Sequence, residues 1–284
     1  MKPMTNDLFD TRRISDLEIR PDNRVIFGAA VEARMEMSAL LMSRGHVAVS
    51  TPLRGGSAAS RRQSVEPIRL SVLADAATGL SALSAQEDES CATVELRVDL
   101  LGTPAPGATS LQARGTTLAL ESGVGISRAD IHDDLGTPIT HAVAVLAMGR
   151  KGRGASDAGP GTVGPQFDPA DIRVSVLGAG ECVATIEPAM SNSGGIVHGG
   201  VLMSLAYAAQ DAFVGTLEGH SRPVRFAVDY LRPVPPRGEL RMSSTVERDG
   251  RRLRSIRTEL VREDGKVAAI ATGIRATATG TVEV

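Results

Sequence analysis

Residues 91–104 read CATVELRVDLLGTP and residues 221–234 read SRPVRFAVDYLRPV. Both alternate apolar and polar positions as half-buried strands do, and both end in Pro-containing turns. Asp99 matches Asp229 at an offset of 130, and further on Gly136 matches Gly265 at an offset of 129. A spacing that stays nearly constant over so long a span marks an internal duplication.

The order of elements around the two stretches is the same. Val201, Leu202, Leu205, Ala209, Ala212 and Phe213 recur at three- and four-residue spacing, which predicts a helix before the second stretch. Strands follow at about 223–232, 239–248, 252–262 and 266–277, separated by Pro235-Pro236-Arg237-Gly238, Asp249-Gly250 and Asp264-Gly265. In the first half, Ile68, Val72, Leu73, Ala76, Leu80 and Leu83 predict the matching helix, with strands near 92–101, 110–120, 124–133 and 138–148. The fold class is α+β, two copies of one unit in which a helix precedes an antiparallel meander. Residues 149–165, GRKGRGASDAGPGTVGP, have the composition of a flexible linker. The expected organisation is an arm over 1–24, a first unit over 25–149, a linker over 150–167 and a second unit over 168–284. Residues 25–42 fit helix and strand equally.

Composition removes several classes of function. Lys plus Arg number 31 against 33 Asp plus Glu, so the basic footprint of a nucleic-acid binder is missing. Apolar runs such as 197–217 are broken by Ser204, Gln210 and Asp211, which predicts no membrane span. Residues 1–23 lack the zones of a secretory signal, and Cys91 and Cys182 are too sparse for a disulfide framework, so a cytoplasmic protein is expected. Gly159 to Gly164 satisfies G-x-G-x-x-G but follows no strand. Asp130, His132, Asp133 and Asp134 run into a hairpin turn where such residues are common, so no metal is expected. No G-x-S-x-G elbow is present to support a serine hydrolase.

The most specific segment is Asn192-Ser193-Gly194-Gly195-Ile196-Val197-His198-Gly199-Gly200, which leads into the second helix. A helix start leaves N–H groups unpaired, and glycines there let a ligand oxygen approach them. The segment, with FAVDYLRPV after the helix, resembles the N-x-x-G-x-x-H-G-G signature of the hotdog-fold acyl-CoA thioesterases of the PaaI-like type. The resemblance covers about 110 residues of the second half well and the first half less well. It implies two tandem hotdog units, a double hotdog, each a long helix wrapped by a curved antiparallel sheet, with sites at their interface.

In that family a carboxylate lies on the helix seven residues after the second glycine, where this chain has Tyr207. In the first half, LSVLADAATG places Asp75 where the acid belongs, while Glu66-Pro67-Ile68 stands where His-Gly-Gly would be. Thr93 matches a position where the family often carries Ser or Thr, and its counterpart is Pro223. Because the resembled enzymes take loop and acid from neighbouring units, the losses sort themselves. One site would join Asn192, His198, Gly199 and Gly200 to Asp75 and Thr93. The other would join Glu66, Pro67 and Ile68 to Tyr207 and Pro223 and be dead.

The expected catalytic residues are therefore Asp75, Asn192, Gly200 and Thr93. His198 and Gly199 would bind substrate, and Arg251 and Arg252 would meet the phosphates of coenzyme A. The expected activity is acyl-CoA thioester hydrolysis with no cofactor beyond the coenzyme A of the substrate. The expected assembly is a homo-oligomer of such chains. Rival readings are a catalytically silent acyl-CoA-binding protein and a hotdog-type enoyl-CoA hydratase, whose Asp and His on one segment are found near neither helix.

Overall fold

The computed structural model describes residues 17–19, 25–27, 29–53, 67–86, 89–150, 172–192, 194–217, 219 and 221–277. Two short strands, β1 (Leu17–Ile19) and β2 (Val25–Phe27), and a five-residue helix α1 (Ala30–Arg34) come first. The hairpin β3 (Ser38–Ser43) and β4 (His46–Pro52) precedes helix α2 (Pro67–Ala85). A meander follows: β5 (Glu89–Leu100), β6 (Ser110–Glu121), β7 (Val124–Asp133) and β8 (Pro138–Arg150). The second half repeats this with β9 (Ser175–Gly178), β10 (Glu181–Ile186), helix α3 (Gly199–Val214), β11 (Ser221–Tyr230), β12 (Gly238–Asp249), β13 (Leu253–Arg262) and β14 (Val267–Thr277).

Both expected helices and all eight expected meander strands are present. The ambiguous stretch 25–42 divides into β2, α1 and the start of β3, and the expected arm contributes β1. Strand β8 runs to Arg150. The linker residues from 151, the Gly159 to Gly164 motif and Glu66 lie outside the described residues.

The strands form one sheet in the order β1-β2-β3-β4-β6-β7-β8-β5-β11-β14-β13-β12-β10-β9. Its centre is the antiparallel pair β5 and β11, where Arg97 faces Ala227, Asp99 faces Arg225 and Glu95 faces Asp229. At the offset of 130 read from the sequence, Arg97 and Ala227 are equivalent positions, so an approximate two-fold axis passes through that pair. The register thus makes each half's β5-type strand the other's neighbour.

Every residue of α2 from Ile68 to Ala82 is buried. A helix enclosed on all sides must be apolar or small all round or pair its polar groups. LSVLADAATG meets the first condition apart from Asp75, and Arg69 before it donates to the Thr51 hydroxyl and the Pro52 carbonyl. The helix packs on β4 to β8 and crosses α3, where the Ser71 and Ser204 hydroxyls lie 2.6 Å apart. With few aromatic rings, the core is built from Leu, Ile, Val, Ala and Met. No helix among the described residues is long and apolar enough to cross a membrane.

Candidate active site

The loop before α3 is shaped by its own side chains. Asn192 Oδ1 accepts hydrogen bonds from the N–H groups of Gly194 (2.9 Å) and Ile196 (3.4 Å), a local turn of the kind Asn favours. The Val197 N–H donates to the Val234 carbonyl at 3.0 Å and the His198 N–H to the Met190 carbonyl at 2.9 Å. The first bond ties the loop to the segment after β11, and the second closes it on the residues that precede it. Tyr230, the last residue of β11, donates its hydroxyl to the Gly199 carbonyl at 2.8 Å.

The two glycines serve different neighbours. A side chain at Gly200 would place Cβ 2.5 Å from Val72 Cα and 2.7 Å from the Ser71 carbonyl oxygen, so Gly200 lets α2 and α3 cross closely. A side chain at Gly199 would place Cβ 2.6 Å from Asp75 Oδ2. Gly199 therefore makes room for the carboxylate. Its own N–H has no partner among the described residues and lies at the positive end of α3.

Asp75 comes to this helix start from the other half of the chain. Its Oδ1 accepts from the Thr93 hydroxyl at 2.7 Å, and its Oδ2 accepts from the Gly200 N–H at 2.9 Å. His198 Nδ1 lies 3.2 Å from Oδ2, and His198 Nε2 lies 3.3 Å from Glu32 Oε1. Burial pushes the Asp75 carboxyl up, but His198, Thr93 and Gly200 outweigh it and hold the carboxyl below its ordinary value. Burial likewise disfavours a charged His198, yet the flanking Asp75 and Glu32 raise the imidazole to about 10. With both ring nitrogens protonated, Nδ1 donates to Asp75 and cannot accept from the Gly200 N–H 3.1 Å away; that N–H belongs to Asp75. The result is a buried carboxylate, imidazolium, carboxylate row. Burial and then the Asp75 charge push the Tyr230 phenol well above its ordinary value, so it stays a neutral donor.

Asp75, Thr93, Asn192, His198 and Gly199 all line one cavity of about 510 Å³, with Gly79, Leu80, Leu83 and Cys91 along α2 and β5. Its size and mixed lining fit a ligand with an apolar tail and one polar reacting group. Sequence reasoning did not pick out Glu32 or Tyr230. Glu32 sits on a helix too short to show a period and meets His198 from 166 residues away.

Arg251 and Arg252 do not line this cavity. They lie in the exposed β12–β13 turn, where their carbonyls accept from Thr277 at the far end of the sheet. Hairpin geometry carries them to the opposite end of β11, and the cation beside the cavity is Arg232 instead. Pro67, Tyr207 and Pro223 line a second cavity of about 280 Å³, while Ile68 is buried in the core. Among the described residues no group of three or more His, Cys, Asp or Glu could hold a metal ion. Asp130 pairs with His141 at 2.7 Å, Asp133 accepts from the N–H groups of Thr137 in its own turn and of Ala105, and Asp134 accepts from the Thr109 N–H in the β5–β6 connection.

Residues 186–279 match the family model described as the acyl-CoA thioesterase N-terminal domain, here in the C-terminal half of the chain. No curated protein matches the sequence. Among solved structures, a tesB protein from Mycobacterium avium paratuberculosis aligns with a TM-score of 0.60 at 10% identity, covering 88% of this chain and 98% of that one. The acyl-CoA thioesterase II TesB2 from Mycobacterium marinum aligns at 0.59 and 12%, covering 90% and 99%. The 12:0-ACP thioesterase from Umbellularia californica aligns at 0.56 and 14%, covering 82% and 94%. At these identities the likeness is one of fold.

Proposed function

We propose that the protein hydrolyses acyl-CoA thioesters at one composite site between two tandem hotdog units. The observation that carries the proposal is the meeting of the Asp75 carboxylate, held ionised by His198, Thr93 and Gly200, with the Gly199 N–H, which has no partner among the described residues, in one cavity. The thioester carbonyl oxygen would accept from Gly199 at the start of α3, where the helix dipole favours the negative charge that develops on it. Asn192 would keep the loop shaped for that contact, and the acyl chain would lie along Leu80, Leu83 and Cys91.

Two routes use the same groups. Asp75 takes a proton from water as the oxygen adds to the carbonyl carbon, the C–S bond then breaks, and the thiolate leaves with the proton. Alternatively a carboxylate oxygen adds directly, the thiolate leaves, and water hydrolyses the mixed anhydride. In both, Thr93 fixes one carboxylate oxygen and His198 stays charged. The PaaI-like pattern supports this assignment of parts. The matched acyl-CoA thioesterase domain supports the substrate class.

The test is thiol release from a panel of short, long and aromatic acyl-CoAs. Turnover of at least one supports hydrolysis; tight binding of acyl-CoA with no thiol released by any of them favours the silent binding protein.

A further inference from the structure

The second cavity is the two-fold mate of the first. At the offset of 130, its Leu100, Leu101, Gly102 and Thr103 stand where Tyr230, Leu231, Arg232 and Pro233 stand in the other, and Pro223 stands where Thr93 does. Tyr207 replaces Asp75, and Arg222 occupies the place of Ala92. The substitutions change the electrostatics. The first cavity carries the acids Asp75 and Glu32 beside His198 and Arg232; the second carries no acid, and its one charged lining group is Arg222.

The walls are apolar: Leu70, Val98, Leu100 and Met203, with Phe226 packed on the Tyr207 ring at 5.5 Å between centroids. The polar floor is already satisfied, since the Ser71 and Ser204 hydroxyls bond to each other. Arg222 is exposed and makes no ion pair or hydrogen bond among the described residues. The neighbouring acid Asp211 is taken by Arg275 at 3.2 Å. The exposed turn of Arg251 and Arg252 lies at this same end of the sheet, because Thr277 bonds the Arg252 carbonyl and pairs with Ser221. An apolar pocket with Arg222 in its lining, and the Arg251 and Arg252 turn at the same end of the sheet, suits a molecule with an apolar chain and an anionic end.

We propose that this second cavity binds an anionic amphiphile, its acyl chain between Val98, Leu100, Met203 and Phe226 and its anionic group at Arg222. Free fatty acids and acyl-CoAs both have this chemistry. The site does no chemistry of its own, because it has neither a carboxylate nor a helix-start glycine.

Decanoate and a non-hydrolysable decanoyl-CoA thioether are titrated calorimetrically into the full chain, Arg222→Ala and Leu101→Trp. Both positions are exposed, and thermal melting checks that each variant is folded. Arg222→Ala is expected to weaken binding at this cavity by about tenfold or more, the loss of a hydrogen bond to a charged group, and Leu101→Trp to remove it by filling the cavity, which for the thioether lowers the stoichiometry from two to one because the first cavity still takes the substrate analogue. A crystal structure of the decanoate complex is expected to show the chain in this cavity. Dependence on Arg222 for decanoate identifies a carboxylate as the recognised anion; dependence for the thioether alone identifies the coenzyme A phosphates. Binding that both variants leave unchanged, or no binding of either probe, overturns the proposal. The readout needs no turnover, so its failure and that of the hydrolase reading are separately visible.

Discussion

Replacing Gly199 by Ala tests how the carboxylate is placed. The new Cβ would lie 2.6 Å from Asp75 Oδ2 and 3.2 Å from its Cγ, against about 3.4 Å for ordinary contact, so the carboxylate must retreat by about 0.8 Å. That retreat stretches the 2.9 Å bond from the Gly200 N–H beyond hydrogen-bonding range and loosens the contact with His198. A misplacement of about 1 Å in a reacting group costs roughly a hundredfold in rate, so kcat is expected to fall by about that factor. Stability should fall only modestly, because the lost hydrogen bond to a buried carboxylate, about 1–3 kcal/mol, is partly offset by Ala being the better helix former by about 1 kcal/mol. Gly200→Ala should act chiefly on stability. Its Cβ meets the backbone of Val72, so the helices must separate at a cost of about 1–3 kcal/mol, read as a lower melting temperature. Steady-state thiol release and thermal melting on the two variants separate the effects. Full activity in Gly199→Ala would refute the idea that this close approach sets the reacting geometry.

Other expectations follow from the same groups. Thr93→Ala removes the donor to Asp75 Oδ1 and should lower kcat by about tenfold, with acyl-CoA binding retained. The pH profile of kcat/KM should be flat at neutral pH, with an acid limb below the usual carboxylate range from Asp75 and an alkaline limb near 10 from His198. Stability follows the same window. The raised imidazole contributes fully below its ordinary 6.5 and is lost as pH rises through about 10, while the lowered Asp75 contributes above its ordinary 3.8 and is lost as pH falls below it. Glu32→Gln removes one of the two carboxylates beside His198, so the alkaline limb should fall about 1 to 3 pH units lower, and Glu32→Asp should restore part of it. An unmoved limb would show that His198 does not set it.

The helices and meanders were legible because each signal is local: a three- and four-residue period, a two-residue alternation, a turn of Pro, Gly or Asp. The duplication was legible because Asp99 and Asp229 keep their spacing, and the β5–β11 register then follows the same symmetry. Glu32 was not legible, since a five-residue helix shows no period and nothing local points to a partner as distant as His198. Tyr230 reads as an ordinary strand residue until the loop closes over it. Charge suggested Arg251 and Arg252, but charge carries no address; strand lengths decide which end of the sheet a turn reaches. The different duties of Gly199 and Gly200 depend on a helix crossing that no spacing within one half encodes.

The most direct test of a composite site is a double-mutant cycle between Asp75→Asn, in the first half, and Gly199→Ala, in the second, with kcat/KM for acyl-CoA as the readout. If both residues serve one reacting centre, Asp75→Asn loses about two to four orders of magnitude, and adding Gly199→Ala costs little more, because the group it would displace no longer reacts. Losses that multiply in the double variant would mean that the two residues work apart, and the composite site would be wrong.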